Sequence, residues 1–278
     1  MYKTEESDYN NRENPVFRKA LLRERQRGNR EDTMVSIRTE IYSPLLGLAT
    51  SVVVLVPDGL DPRTVPVVTL LHGLSDNSTV WERRTNVEEY AQKRGVAVVM
   101  PEVGRSWYTD MAQGLKYFTF ITEELPAECH RLFGLSRERE KNFIMGNSMG
   151  GYGAMKCAFR KPENYAGVGA FSSVADITDR VERARGTEME GEFRAIFGQE
   201  LTIAPEEEIF SLVRGLKSPL PRIYMACGEQ DALYEGNVRL DETLTALSLP
   251  HRFDHRPGLH CWPFWNESLE DAFSYFFD

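Results

Sequence analysis

One short stretch of the chain, GNSMG at residues 146–150, has the residue types and spacing of a nucleophilic site. It fits the pattern G-x-S-x-G, and it lies between an apolar run and a segment with the composition of a helix. In that context the serine occupies a sharp strand-to-helix turn, and the flanking glycines relieve the crowding of the backbone. Ser148 is therefore predicted to be a nucleophile that attacks an acyl carbon.

A serine hydroxyl is a weak nucleophile, so Ser148 needs a general base and an acidic group that orients the base. After a nucleophile of this kind, the expected chain order is a carboxylate and then a histidine. His260 lies in the loop after the last short predicted strand, and Asp231 lies just beyond the carboxyl end of an earlier one. Glu229 and Asp254 compete for the acidic role, and Asp231 is favoured because it is placed at a strand end rather than within the strand.

Acyl transfer also needs hydrogen-bond donors for the negative oxygen of the tetrahedral intermediate. The expected donors are the backbone N–H of Met149, directly after the nucleophile, and one N–H from the loop after the third strand. That loop reads LLHGLSDN, which nominates the N–H of Leu74, with Gly73 allowing the turn and His72 serving as a scaffold. The remaining histidines are assigned structural or surface positions: His130, His251 and His255.

Four aromatic residues lie close to these motifs and are candidates for the wall of a substrate pocket. They are Trp107 and Tyr108, which follow a strand end, and Trp262 and Trp265, which flank His260. A charged, cap-like insertion lies at about 175–216, and we expect it to narrow access to the pocket.

Short apolar runs alternate with helical patterns from Met34 to the end of the chain. One amphipathic helix is predicted over 80–95, and the runs of valine, isoleucine, leucine and methionine are too continuous for half-solvated strands. This alternation predicts an α/β fold with a mostly parallel central sheet and helices on both faces. Residues 1–33 form a charged N-terminal extension, with a short helix predicted over 14–28, and 34–278 form the main domain.

Several motifs together resemble the putative-esterase family, which contains S-formylglutathione hydrolases, feruloyl esterases and bacterial tributyrin esterases. They are LLHGLSDNSTVW, SWYTDMAQGLKYFTFITEELP, GNSMGGYGAMKCAFRKP and GLHCWPFWNESL, in the expected order, and the likeness is greatest to the tributyrin and acetyl esterase branch. The resemblance implies an α/β-hydrolase fold, no cofactor or metal, and a triad of Ser148, Asp231 and His260. It favours a serine carboxylesterase for short-chain acyl esters acting through an acyl-serine. An S-formylglutathione thioesterase, an acyltransferase to a sugar and a non-catalytic binding module are the alternatives.

Composition narrows the partners of the protein. The chain has 278 residues, 41% of them hydrophobic, and a formal net charge of −9. An acidic chain without a basic patch is not expected to bind nucleic acid, and no apolar run is long enough to span a membrane. The four cysteines lack metal-binding spacing and are expected to be free thiols in a reducing compartment. We therefore expect a cytoplasmic protein whose partner is a small-molecule ester, with a homo-oligomer left open.

Overall fold

The computed structural model describes residues 33–278. The predicted charged extension, 1–33, and the helix expected over 14–28 therefore lie outside the described residues, apart from Thr33. From Met34 onward, strands and helices alternate as the sequence pattern predicts.

An eight-stranded sheet forms the centre of the described chain, in the order β1-β2-β4-β3-β5-β6-β7-β8. Strands β3 to β8 run parallel to one another, whereas β2 is antiparallel to both β1 and β4. The residues of β3, β4 and β6 are buried throughout, as expected for parallel strands covered on both faces. The strands are β1 (Met34–Ser43), β2 (Leu48–Pro57), β3 (Val67–Leu71), β4 (Ala97–Pro101), β5 (Asn142–Asn147), β6 (Gly167–Phe171), β7 (Arg222–Gly228) and β8 (His251–Arg256).

Helices cover both faces of this sheet, and each face has its own apolar core. On one face α5 packs on β3, β5 and β6, and on the other α10 packs beside α2 and against β6 and β7. This arrangement is the α/β-hydrolase fold, as predicted. The helices are α1 (Val80–Arg84), α2 (Val87–Arg94), α3 (Tyr117–Thr119), α4 (Leu125–Phe133), α5 (Met149–Arg160), α6 (Ile177–Glu182), α7 (Glu190–Phe197), α8 (Ile209–Gly215), α9 (Tyr234–Ala246) and α10 (Trp262–Phe277). A π-helical turn, Phe120–Glu124, joins α3 to α4, and short 3-10 turns occupy Arg139–Lys141 and Pro205–Glu207.

The prediction of one helix over 80–95 is wrong in detail, because the helix breaks in the middle. Thr85 is extended, with φ −138° and ψ 171°, and its hydroxyl donates to the carbonyl oxygen of Trp81 at 2.6 Å. The N–H of Asn86 donates to the side chain of Asn266 in α10 at 2.8 Å. Threonine and asparagine side chains compete with helical hydrogen bonds in this way, so two shorter helices form.

The insertion over 175–216 contains α6, α7, the 3-10 turn and α8. Its 3-10 turn is attached to α5 through Glu207, whose carbonyl oxygen accepts a hydrogen bond from the Tyr152 hydroxyl at 2.7 Å. The carboxylate of Glu207 also pairs with Lys156 at 2.6 Å and with Arg160 at 2.7 Å. These contacts tie the insertion to the helix that begins directly after Ser148.

Candidate active site

The backbone at Ser148 is strained in the manner expected of a nucleophile on a sharp turn. Its φ of 56° and ψ of −117° lie in a region that non-glycine residues rarely occupy, between the end of β5 and the start of α5. Glycines make the turn sterically feasible. A Cβ atom on Gly146 would lie 2.5 Å from the carbonyl oxygen of Gly150, and one on Gly150 would lie 2.4 Å from the carbonyl oxygen of Leu71.

His260 lies between Ser148 and Asp231 and contacts both. Its Nε2 is 3.0 Å from the Ser148 Oγ, and its Nδ1 is 2.8 Å from the Asp231 Oδ2. A carboxylate oxygen only accepts hydrogen bonds, so Nδ1 carries the proton and Nε2 faces the serine hydroxyl as an acceptor. The side chain of Asp231 is fully buried and that of His260 is 36% exposed, so the imidazole remains open to a ligand.

Two opposing effects act on the Asp231 carboxyl. Burial by itself would raise its pKa, but hydrogen bonds from His260 and from the backbone N–H of Leu233, at 2.9 Å, together with the nearby Ser172 hydroxyl, outweigh burial. The net effect lowers the pKa of Asp231 below its ordinary value of 3.8. The carboxylate is therefore ionised at neutral pH and can stabilise a positive charge on His260.

The two competing acids are bound elsewhere. The Oε1 of Glu229 lies 3.1 Å from the Nδ1 of His255, so Glu229 is paired with a different histidine. Asp254 accepts hydrogen bonds from the Tyr224 hydroxyl at 2.9 Å and from the Arg252 guanidinium at 2.8 Å. Of the three candidate acids, only Asp231 contacts His260.

The other histidines occupy structural positions. The Nδ1 of His130 is 2.8 Å from the carbonyl oxygen of Leu135, and the Nε2 of His251 is 2.8 Å from Asp241. His72 is buried in the loop after β3. Its Nε2 accepts a hydrogen bond from the N–H of Val103 at 3.3 Å, so its Nδ1 donates to the carbonyl oxygen of Gly73, at 2.8 Å.

The two expected oxyanion donors lie next to this site. Met149 is the first residue of α5, and Leu74 lines the same cavity as Ser148. Neither backbone N–H makes a hydrogen bond within the described part of the chain. Both N–H groups can therefore donate to a ligand oxygen without breaking an existing hydrogen bond.

A cavity of about 570 Å³ opens beside Ser148 and His260. Its wall includes Trp107 and Trp265, two of the four aromatic residues expected to line a pocket. The ring of Trp265 stands edge-on to His260, with centroids 4.8 Å apart. The volume of the cavity suits a small organic ligand.

The other two aromatic residues do not line the cavity, which corrects that part of the prediction. Tyr108 is fully buried beneath the site, where its hydroxyl donates to the carbonyl oxygen of His72 at 2.7 Å. Trp262 packs between two other indoles instead, with centroids 5.1 Å from Trp81 and 5.0 Å from Trp265. Both residues support neighbours of the site rather than facing a ligand.

No sequence motif indicated the part that Ser172 has in this site. Its Oγ accepts a hydrogen bond from the Trp265 Nε1 at 3.1 Å, and its backbone φ is 45°. It follows β6 directly and lies against Asp231, whose pKa its hydroxyl helps to lower. Ser172 therefore links the indole on one side of His260 to the carboxylate on the other.

Residues 33–278 lack two further features. No helix there is long and apolar enough to cross a bilayer. No group of three or more histidine, cysteine, aspartate or glutamate side chains there is arranged to hold a metal ion.

The fold and the serine, histidine and aspartate at the carboxyl edge of its sheet define the class of serine hydrolases with an α/β-hydrolase fold. Residues 43–276 match the family model described as Putative esterase, and the chain belongs to that family.

Known proteins support this assignment. An acetyl esterase of Caldicellulosiruptor saccharolyticus is 29% identical over 262 residues, which cover 87% of this chain and 98% of that protein. The fluorophosphonate-binding serine hydrolase FphF of Staphylococcus aureus superposes with a TM-score of 0.79 at 28% identity, covering 88% of this chain and 99% of the other. The S-formylglutathione hydrolase FrmB of Staphylococcus aureus gives a TM-score of 0.78 at 29% identity, with the same coverage. This protein is thus a serine esterase by family and by fold.

Proposed function

We propose that this protein hydrolyses short-chain acyl esters through an acyl-serine intermediate, with Ser148 as nucleophile, His260 as base and Asp231 as the group that orients the base. The observation that carries the proposal is the unbroken hydrogen-bonded chain from the Ser148 Oγ through His260 to the buried Asp231. Such a chain is what a serine needs to become a nucleophile at neutral pH.

In the first half of the reaction, the Ser148 Oγ attacks the ester carbonyl carbon while its proton passes to the Nε2 of His260. The carbonyl oxygen becomes negative and accepts hydrogen bonds from the N–H groups of Leu74 and Met149. When the tetrahedral intermediate collapses, the bond to the alcohol oxygen breaks and His260 gives its proton to the departing alcohol. Asp231 stabilises the transient imidazolium.

The second half repeats these steps with water. A water oxygen attacks the acyl carbon while His260 takes a proton from that water. The same two N–H groups bind the new oxyanion. The bond to the Ser148 Oγ then breaks, the serine regains the proton from His260, and the acid leaves. One ester and one water become one acid and one alcohol.

The cavity supports a preference for short acyl chains. Its volume of about 570 Å³ must hold both halves of the ester, and the rings of Trp107 and Trp265 form part of its wall. Trp107 is held from behind by Phe193 of the insertion, with ring centroids 5.3 Å apart. A long acyl chain would have to displace these packed rings, which overpacked sites resist.

The test is a series of 4-nitrophenyl esters, from acetate to palmitate, with the wild-type protein and the Ser148→Ala variant. We expect kcat/KM to be greatest for the acetate to butyrate esters and to fall for longer chains. In the Ser148→Ala variant turnover should fall by about 10⁴-fold or more. Equal rates with palmitate, or an active alanine variant, would refute the proposal.

A thioesterase acting on S-formylglutathione is a second candidate, because FrmB is among the similar structures. The same serine and base would attack a thioester carbonyl by the same steps. Comparing kcat/KM for S-formylglutathione with that for the acetate ester decides between the two, and we expect the ester to be preferred.

We also propose a cytoplasmic location. Four cysteines are free, three of them buried within the domain. Free thiols are typical of a reducing compartment, whereas oxidising compartments favour disulfides.

A further inference from the structure

The wall of the cavity contains three arginines. Arg180 and Arg183 come from α6 and the residue that ends it, and Arg239 comes from α9. Two of the three are neutralised by an adjacent carboxylate. Arg183 lies 2.7 Å from Asp179, and Arg239 lies 2.9 Å from Asp176.

Arg180 differs from its two neighbours. Its guanidinium has a side-chain hydrogen bond to the sulfur of Met189, at 3.1 Å, and no carboxylate of the described chain lies within ion-pair distance. A thioether is a weak acceptor, whereas a guanidinium offers five N–H donors. Arg180 is also half-buried, so water replaces the missing partner only in part.

The other carboxylates of the cavity do not balance this charge. Asp231 is occupied by His260, and Glu235 is an exposed residue at the rim. Asp76 belongs to the loop after β3, where its electrostatic neighbours are His72, Arg83 and Arg84 rather than Arg180. Arg180 is therefore a cation without a contacting anion, facing the same cavity as Ser148.

We propose that Arg180 forms a carboxylate-binding subsite, and that the preferred esters of this protein carry a carboxylate on the acyl or the alcohol half. The inference rests on the proposed function, because it places the carboxylate in the cavity that Ser148 opens into. A planar guanidinium binds a carboxylate through two parallel N–H···O hydrogen bonds. The partly dry surroundings strengthen that pair relative to one in water.

The test compares isosteric esters that differ in one charge. Monomethyl succinate is compared with methyl isocaproate for the acyl half, and para-carboxyphenyl acetate with para-isopropylphenyl acetate for the alcohol half. In the wild-type protein we expect kcat/KM to favour the anionic ester in one of the two pairs, which also identifies the half that carries the charge. No preference for the anionic ester in either pair would overturn the proposal.

Three variants assign the preference to Arg180. In Arg180→Met the ratio of anionic to neutral kcat/KM should fall by about 10- to 100-fold, the worth of a charged hydrogen-bonded pair. Arg180→Lys keeps the charge but cannot form two parallel hydrogen bonds to a carboxylate, so it should lose part of this ratio. This variant provides the test if Arg180→Met does not fold. Arg185→Met is the matched control, since Arg185 lies in the same insertion, is paired with Glu182 at 2.6 Å and does not line the cavity. An unchanged ratio in both Arg180 variants, or an equal fall in the Arg185 control, would overturn the proposal.

The neutral esters keep the two proposals separate. Hydrolysis of the neutral esters by the wild-type protein, lost in Ser148→Ala, tests the esterase function alone. The ratio within each pair tests only the subsite.

Discussion

The Nζ of Lys156 lies 2.6 Å from the Oε2 of Glu207, and the lysine side chain is completely buried. The same ammonium donates to the carbonyl oxygen of Trp107 at 3.2 Å and to the Thr109 hydroxyl at 2.7 Å. Three parts of the site thus meet at one charge: the helix that follows Ser148, the insertion that carries Glu207 and the loop that carries the cavity-wall indole.

This buried pair predicts a large stability effect for Glu207→Gln. The substitution would leave the Lys156 ammonium buried without its carboxylate, which costs about 3–5 kcal/mol of unfolding free energy in buried pairs. Urea unfolding measures the loss. The control is Glu182→Gln, which breaks an exposed pair with Arg185 and should cost about 0–1 kcal/mol. Similar losses in the two variants would contradict the assigned role of the buried pair.

Gly153 predicts a second stability effect. A Cβ at this position in α5 would lie 2.3 Å from the Cδ2 of Tyr108, a ring that is itself fully buried. We expect Gly153→Ala to destabilise the protein by about 1–3 kcal/mol, the usual cost of overpacking. Gly191→Ala is the matched control, since Gly191 is also helical but has nothing within 4 Å of the added atom, and it should be neutral or slightly stabilising. Thermal unfolding of both variants measures the change in stability. An unchanged Tm for Gly153→Ala would refute the expected clash.

The positions of Ser148, Asp231 and His260 were predictable because topology fixes them. Parallel strands deliver their carboxyl ends to one sheet edge, and these three residues each follow a strand that ends there. The position of the loop after β3 was predictable for the same reason, whereas the alternation of strands and helices followed from the apolar runs.

The cavity wall was harder to predict, since it depends on where side chains point. Trp107 and Tyr108 both have a φ of 53°, a left-handed conformation that gives no signal in the sequence for residues of this size. Both rings are buried, and Trp107 lines the cavity whereas Tyr108 does not. Arg180 and Ser172 gain their positions from tertiary packing, which no local pattern records.

The pH dependence of activity tests the role of Asp231. The pKa of Asp231 is held below its ordinary value, so this carboxylate stays ionised as the pH falls from 8 to about 5, the range in which histidines usually change charge. Protonation of Asp231 should therefore not limit activity anywhere in this range.

The Asp231→Asn variant should lose about 10⁴-fold in kcat, as the equivalent change does in a serine protease with the same Ser-His-Asp arrangement. Measurements of kcat for the wild type and the variant across this pH range test the loss. Near wild-type turnover in Asp231→Asn, together with inactive Glu229→Gln or Asp254→Asn, would show that the acid is misassigned.

The burial of three of the four cysteines predicts that their thiols resist alkylation. Burial raises the pKa of Cys129, Cys157 and Cys227 to about 12 in each case, so none is a thiolate at neutral pH. Cys261, beside His260, is partly exposed. A Cys261→Ala variant treated with iodoacetamide under native conditions should keep its activity and take up no label, and a labelled or inactivated variant would contradict the expectation.

The central claim is that Ser148 is the nucleophile, and a fluorophosphonate tests it most directly. After treatment of the wild-type protein, mass spectrometry of the digested chain should find one adduct, on the peptide that contains Ser148, in step with the loss of esterase activity. Ser148→Ala should fold normally, take no label and lack turnover. An adduct on another residue, or an alanine variant that is labelled or active, would contradict the account.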